Sequence, residues 1–274
     1  MIPYPNFSPD IAKFSLLGLN LQIRWYGLFY VISFLVGFLL YRYNLKFRDI
    51  KLPREQYESA IFHVMLGVIL GGRLGYVLFY NLPFYIQHPA AIFAVWEGGM
   101  SFHGGALGVI IAGLIFTRRY KLPFLSMADA AIPLVAIGLG LGRLGNFVNA
   151  ELWGRPTNLP WGMIFPGSDG IPRHPTQLYE FLLEGVVMCL VTYYLLRKLK
   201  RPGLVFFSFI GLYGIFRFLI EFVRQPDDIS FYDKFGFIFG FMTIGQFLSF
   251  LMILAAGYGI WRLNRKPPAE INQP

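Results

Sequence analysis

Residues Met127–Gly154 read MADAAIPLVAIGLGLGRLGNFVNAELWG. The stretch as far as Leu141 is that of a hydrophobic helix, and where the helix should simply continue the chain places Arg143, Asn146, Asn149 and Glu151. A charge in an apolar helix is costly unless it is paired, faces a wet cavity or holds a ligand, so it marks a candidate functional site. The surrounding sequence fixes what kind of helix this is. The 274 residues are 55% hydrophobic, 18% aromatic and only 14% charged, too apolar for an ordinary soluble domain. A polytopic, all-α membrane protein is expected, as one integral membrane domain over residues 1–274.

A helix crossing a hydrocarbon core of ~30 Å needs roughly 20 residues. Seven segments are predicted to qualify: Trp25 to Tyr41, Ala60 to Tyr80, Ser101 to Thr117, Met127 to Val148, Gln177 to Leu196, Gly203 to Val223 and Phe235 to Trp261. The first and third need their flanks to complete a span. The N-terminus lacks a basic region leading into an apolar run and a small-residue cleavage site, so the first span is expected to stay in the mature chain.

Orientation follows from lysine and arginine, which cytoplasmic connections retain. Fifteen of the 24 basic residues lie in one alternate set of connections and six in the other, which puts the N-terminus outside (periplasmic) and the C-terminus in the cytoplasm. Trp25, Trp96, Trp153, Trp161 and Trp261 fall at or just beyond predicted helix ends, as interfacial rings do. The net charge of +9 is therefore read as an orientation signal and not as a nucleic-acid footprint. Residues 149–176 form a loop rich in Pro, Gly and Trp on the outer face, expected to act as a lid or substrate arm. Residues 264–274 are a short polar cytoplasmic tail.

Three basic residues remain inside spans: Arg73, Arg143 and Arg217. By rise per residue all three are predicted ~8 to 11 Å below the outer surface. Tyr26 and His103 begin descending helices at the same level, and Asn146, Glu151 and Glu221 lie near the outer ends of rising ones. Arginine presents a permanent charge and a planar fork of donors that fits phosphate, and outer-leaflet phosphates are lipid head groups. Arg143 and Asn146 are one turn apart, as are Arg217 and Glu221, where the carboxylate can orient the guanidinium. His103, in FHGGALG, precedes glycines that let a ligand or another backbone come close, and histidine exchanges a proton near neutral pH. His174 is expected to be a loop cap or rim contact. Asp129 and Glu184 are expected to be structural partners. Cys189 is the single cysteine, so an intrachain disulfide, a CxxC pair and a thiolate zinc site are excluded. Hydrolase and metalloprotease motifs are absent, and neither metal nor cofactor is expected.

GRLGNFVNAELWG resembles the signature of the prolipoprotein diacylglyceryl transferases, Gly-Arg-x-Gly-Asn-Phe-x-Asn-x-Glu-x-x-Gly, with all eight fixed positions met. FHGGALG resembles their His-Gly-Gly motif, and RWYGLFY, GGRLGYVLFY, HPTQLYE and YGIFRFLIEFVRQPD resemble their other recurring stretches. The resemblance implies a bacterial cytoplasmic (inner) membrane enzyme that moves the diacylglyceryl group of phosphatidylglycerol onto the lipobox cysteine of a prolipoprotein, forming a thioether and releasing glycerol phosphate. It implies His103 and Tyr26 as essential residues near the reacting groups, and Arg143, Asn146 and Gly154, supported by Glu151, as phospholipid-binding or essential positions. Arg217 and Glu221 match the arginine and glutamate of the sixth helix. Displacement at a primary carbon by a thiolate needs a base for the thiol and cations for the departing phosphate. On this reading His103 helps deprotonate the thiol, Tyr26 orients the head group, and Arg143 and Arg217 bind the phosphate, with Arg73 as a further substrate contact. An arginine that lowers the thiol pKa is an alternative to the histidine base. The competing class is a transporter or binding protein for an anionic solute, whose site belongs near the midplane between repeats.

Overall fold

In the computed structural model, residues 2–16, 19–95, 98–226 and 236–265 are described, without the side chains of 14–16 and 19–21. Trp96, Lys234, Phe235, Lys266 and the tail from residue 266 onward lie outside the described residues. The architecture is mostly helical, in the order β1 (Ile2–Pro3), β2 (Asp10–Leu16), β3 (Leu19–Arg24), α1 (Trp25–Leu45), α2 (Arg54–Phe79), α3 (Leu82–Gln87), α4 (Phe102–Tyr120), α5 (Phe124–Val148), β4 (Met163–Ile164), α6 (Thr176–Lys198), α7 (Leu204–Ile220) and α8 (Ile244–Arg265). Each expected apolar segment overlaps one of the helices α1, α2, α4, α5, α6, α7 and α8. Among the described residues, five helices are long and apolar enough to cross a membrane: α1 with the turn that follows it, α2, α5, α6 and α8. α7 is apolar but spans 17 residues.

The elements depart from expectation at their edges. α2 starts at Arg54, ahead of the apolar run, because an i,i+4 pair between Arg54 and Glu58 covers its first turns while Tyr57 is buried on the other side. α8 starts at Ile244, later than the sequence indicates, because a tight turn pairs Ile238 with Met242 and a capping box follows it. In that box Thr243 Oγ1 accepts from the Gln246 N–H at 3.1 Å and Gln246 Oε1 accepts from the Thr243 N–H at 3.1 Å. The all-α expectation also omits two small sheets: β2 and β3 pair antiparallel, and β1 pairs parallel with β4.

The described residues form two compact units, one of residues 2–48 with 128–265 and the other within Asp49–Met127. The second unit is organised by α2 and α4. Gly67, Gly71 and Gly75 on α2 recur every four residues and meet Gly104 and Gly108 on α4. A Cβ on Gly67 would lie 2.7 Å from the Gly108 carbonyl oxygen, and one on Gly75 would lie 2.7 Å from the Gly104 Cα. Only glycine permits backbones this close, the small-residue packing that associates helices in lipid, where no hydrophobic force drives them together.

The first unit is tied at one end by a buried ion pair. Arg48, just after α1, meets Asp129 of α5 at 3.0 Å, with side chains 2% and 0% exposed. Asp129 also accepts the Gly203 and Phe206 N–H groups, both at 2.8 Å, which satisfies two of the four donors that the α7 N-terminus would otherwise leave orphaned. Arg48 in turn donates to the Leu196 carbonyl at 3.0 Å. One carboxylate thus joins α1, α5, α6 and α7, beside an apolar cluster of Ile132, Leu196 and Val205. Removing one member of such a pair leaves a buried charge uncompensated. Asp129→Ala is expected to destabilise the protein by about 3–5 kcal/mol. In detergent-solubilised protein this appears as a lowered unfolding midpoint, with a smaller additional loss when Arg48→Ala is combined with it.

Candidate active site

Arg143 lies in the last turns of α5, where glycines replace larger side chains. A Cβ on Gly140 would lie 2.9 Å from the Gly185 Cα, so α5 and α6 meet backbone to backbone just before Arg143. At this contact α6 widens into a π-helical stretch, Phe181–Val187, a distortion frequently found at functional sites. Glu180 and Glu184 come from this part of α6 and both are fully buried. Arg143 Nε lies 3.3 Å from Glu180 Oε2, and Arg143 Nη2 lies 3.3 Å from Glu184 Oε2.

α7 and the turn after it bring two more guanidinium groups to Glu180. Arg217 Nη1 donates to Glu180 Oε1 at 2.7 Å, and its Nη2 pairs with Glu221 at 3.0 Å, one turn along the chain. Arg224 lies 3.6 Å from Glu180 Oε1. Three arginines and three glutamates therefore meet in formal balance. Exposure is distributed unevenly across the cluster: the Arg143 and Arg217 side chains keep 17% and 15%, whereas Glu180 and Glu184 have none. The carboxylates form a buried floor, and the arginine side chains above it keep part of their surface accessible. A desolvated ion is tolerated only when paired, and the floor supplies that pairing.

The floor is itself braced. Glu221 accepts from Thr243 Oγ1 at 3.1 Å, so the capping box of α8 fixes the carboxylate that holds Arg217. A Cβ on Gly245 would lie 2.7 Å from Glu221, so no larger residue fits there without moving it. Beyond α5 the signature turns back on itself: Asn146 and Asn149 donate to Glu151 Oε1 at 2.8 and 3.2 Å, and Gln177 Nε2 donates to the Glu151 carbonyl at 2.6 Å. Ala150 and Leu152 take left-handed backbone conformations, φ 52° and 59°, uncommon without glycine. Gly154 packs so closely that a Cβ would lie 2.5 Å from the Val223 carbonyl oxygen, and its N–H donates to the His174 carbonyl at 2.8 Å.

The arm is fastened at both ends. Tyr4 donates to the Phe147 carbonyl at 2.6 Å, capping the end of α5, and its ring packs on Phe147 and Phe165. β1 pairs with β4 inside the arm. Arg173 reaches the Gly154 carbonyl at 3.2 Å and also bonds Gln225, while Arg155 donates to the Arg224 carbonyl at 3.0 Å. His174 lies 3.3 Å from the Tyr179 hydroxyl, and burial holds its imidazole below the ordinary histidine value.

Of the residues singled out from sequence, Tyr26, Arg143, Asn146, Glu151, Gly154, Arg217 and Glu221 all lie in the first unit. The Tyr26 ring lies against Gly145, within the signature. The remaining two lie in the second unit. Arg73 is buried, donates to the carbonyls of Ala91, Ile92, Gly98 and Gly99, and lies 5.2 Å from the Tyr85 ring centroid. Those acceptors engage all three guanidinium nitrogens, so Arg73 ties Ala91 and Ile92 to Gly98 and Gly99. His103 is exposed in the first turn of α4, whose Ser101 cap accepts the Gly104 N–H at 3.2 Å. Of the glycines after His103, Gly104 admits the α2 backbone at Gly71.

Two members of the cluster were not anticipated. Glu180 was hidden in HPTQLYE, although its i,i+4 spacing from Glu184 is a readable sign of two carboxylates on one helix face. Arg224 reads as a loop cation and is buried. Among the described residues, no group of three or more His, Cys, Asp or Glu is placed to hold a metal ion.

Comparison with known proteins bears directly on this arrangement. The sequence model of the family described as prolipoprotein diacylglyceryl transferase matches residues 13–262. A phosphatidylglycerol-prolipoprotein diacylglyceryl transferase from Geobacter sulfurreducens is 49% identical over 251 residues, covering 92% of this chain and 93% of its own. Proteins of the same description from Nitrosomonas europaea and Legionella pneumophila are 48% and 47% identical, covering 97% and 95% of this chain and 95% and 98% of theirs.

The arm supplies a pH-dependent test. Asp169 accepts from Arg173 at 2.7 Å, and that hydrogen bond holds its carboxyl below the usual carboxylate range. A depressed folded-state value stabilises the arm above the unfolded value, about 4, and the effect is lost as pH falls through the lower folded value. Tryptophan fluorescence from Trp153 and Trp161 should report loosening of the arm on acidification below about pH 4. Asp169→Asn should remove that component of the change, and an unchanged acid profile would contradict it.

Proposed function

This chain belongs to the prolipoprotein diacylglyceryl transferase family, and from that premise we propose that its arginine cluster binds the phosphate of phosphatidylglycerol while the diacylglyceryl group moves to a prolipoprotein cysteine. The chain is a transferase, acting on prolipoprotein with phosphatidylglycerol as donor. The observation that carries the site assignment is the pair of arginines, Arg143 and Arg217, with partly accessible side chains above a buried carboxylate floor.

The reaction balances without a cofactor. The lipobox thiol gives up its proton, its sulfur attacks the primary glyceryl carbon, the carbon–oxygen bond to phosphate breaks, and glycerol phosphate departs with the electron pair. Arg143 and Arg217 hold the phosphate before the step and stabilise the charge that develops on it during the step, the preorganised electrostatics that dominate many enzymes. His103 receives the thiol proton and delivers it to the departing phosphate. Tyr26 orients the head group, and Asn146 with Glu151 fixes the end of α5 from which Arg143 projects. Glu221 acts through Arg217. Gly154 acts by allowing the signature to pack against the end of α7.

We place the enzyme in the bacterial cytoplasmic membrane with seven crossings, the N-terminus outside, the C-terminus in the cytoplasm and the site toward the outer leaflet. The asymmetry of lysine and arginine between alternate connections supports that orientation. Residues 149–176 then form an outer-face arm over the prolipoprotein signal peptide.

Purified protein in phosphatidylglycerol vesicles with a lipobox peptide should give a diacylglyceryl mass gain on the peptide cysteine, lost when that cysteine is alanine. Arg143→Ala and Arg217→Ala should each lower turnover by roughly 10²–10³-fold. His103→Ala should lower it by roughly 10²–10⁴-fold. A stoichiometric complex without product would favour a binding protein, and full turnover in His103→Ala would remove the histidine from the mechanism.

A further inference from the structure

We infer that Glu180 is a positioning residue of the transfer reaction, which sets the separation and orientation of Arg143 and Arg217 so that both address one phosphate. The inference rests on the phosphate-binding role proposed for those arginines. Glu180 alone among the described carboxylates contacts Arg143, Arg217 and Arg224. Its two oxygens divide the work: Oε1 takes Arg217 at 2.7 Å and Arg224 at 3.6 Å, while Oε2 faces Arg143 at 3.3 Å.

A carboxylate and a phosphodiester each present a pair of anionic oxygens to guanidinium groups. Two guanidinium groups that converge on one carboxylate from behind are therefore held at a spacing suited to one phosphate in front. The floor position of Glu180 keeps it from competing for that front face, since it has no exposed surface while both arginines do. The contacts also differ in tightness. Arg217 is held at 2.7 Å by Glu180 and at 3.0 Å by Glu221, whereas Arg143 donates to Glu184 Oε2 from both Nε and Nη2 at 3.3 Å and faces Glu180 Oε2 at 3.3 Å.

The sign of the effect separates positioning from binding. Glu180→Gln removes one negative charge from a balanced cluster, so attraction for an anionic head group does not fall. What the variant loses is the common anchor of the two guanidinium groups. Misplacement on the order of 1 Å costs roughly 10²-fold in rate. The experiment measures kcat and KM for phosphatidylglycerol, together with the unfolding midpoint, for wild type, Glu180→Gln and Glu180→Asp. The expected result is a folded Glu180→Gln enzyme with kcat down roughly 10²-fold and KM unchanged or lower. Glu180→Asp, which keeps the charge and shortens its reach, is expected to fold and to lose kcat to a smaller extent.

Wild-type kcat in either variant overturns the inference, as does a raised KM with kcat intact. Failure of both variants to fold would make Glu180 a structural group and would also overturn it. Absence of thioether product from the wild-type chain is a separate outcome, which removes the functional reading on which the inference stands.

Discussion

Arg143 and Arg217 share one buried carboxylate, and much of the first unit is arranged to make that possible. Guanidinium groups cannot be left unpaired in an apolar setting, so carboxylates must reach them from neighbouring helices. Glycines at 140 and 185 let α5 and α6 approach, and the π-helical stretch of α6 carries Glu184 alongside Glu180. The capping box of α8 holds Glu221, which holds Arg217. Charge balance within the cluster permits burial, and the partial exposure of the two arginines is consistent with the phosphate-binding role proposed for them. An arginine paired on all sides would be structural, and one paired on none would not be tolerated.

The contrast with Arg73 and Arg48 shows how placement decides the role of a buried arginine. Arg73 is engaged by four backbone carbonyls, and Arg48 is matched by Asp129 and two carbonyls. In each case the donors are consumed by the protein. Arg143 and Arg217 are matched by buried carboxylates while their side chains stay partly accessible. That asymmetry, rather than burial itself, is what supports the phosphate-binding role proposed for Arg143 and Arg217.

Much of this was legible in the sequence. The apolar segments locate the long helices because length and hydropathy are properties of the segment alone. Arg143 and Arg217 stand out because charges in apolar helices are costly, and Arg217 with Glu221 is readable from spacing. Counting rise per residue could not separate Arg73 from the other two, since depth says nothing about which acceptors surround a side chain. Glu180 escaped notice because its partners come from elements distant in the chain. The β2–β3 hairpin has an alternating pattern, Asp10 to Leu16 and Leu19 to Arg24, that is visible once sought beside the stronger helical signal. The late start of α8 depends on the Thr243 and Gln246 cap, a local motif that hydropathy alone does not register.

The central claim is that the carboxylate floor stays in place and the phosphate binds on the open side of the two arginines. A crystal structure of the protein with phosphatidylglycerol, grown from a lipid mesophase, tests it most directly. The account predicts phosphate oxygens at about 2.7–3.2 Å from both Arg143 and Arg217, with the ion pairs to Glu180 retained behind them. A head group that contacts neither arginine, or one that displaces Glu180 from them, would contradict it.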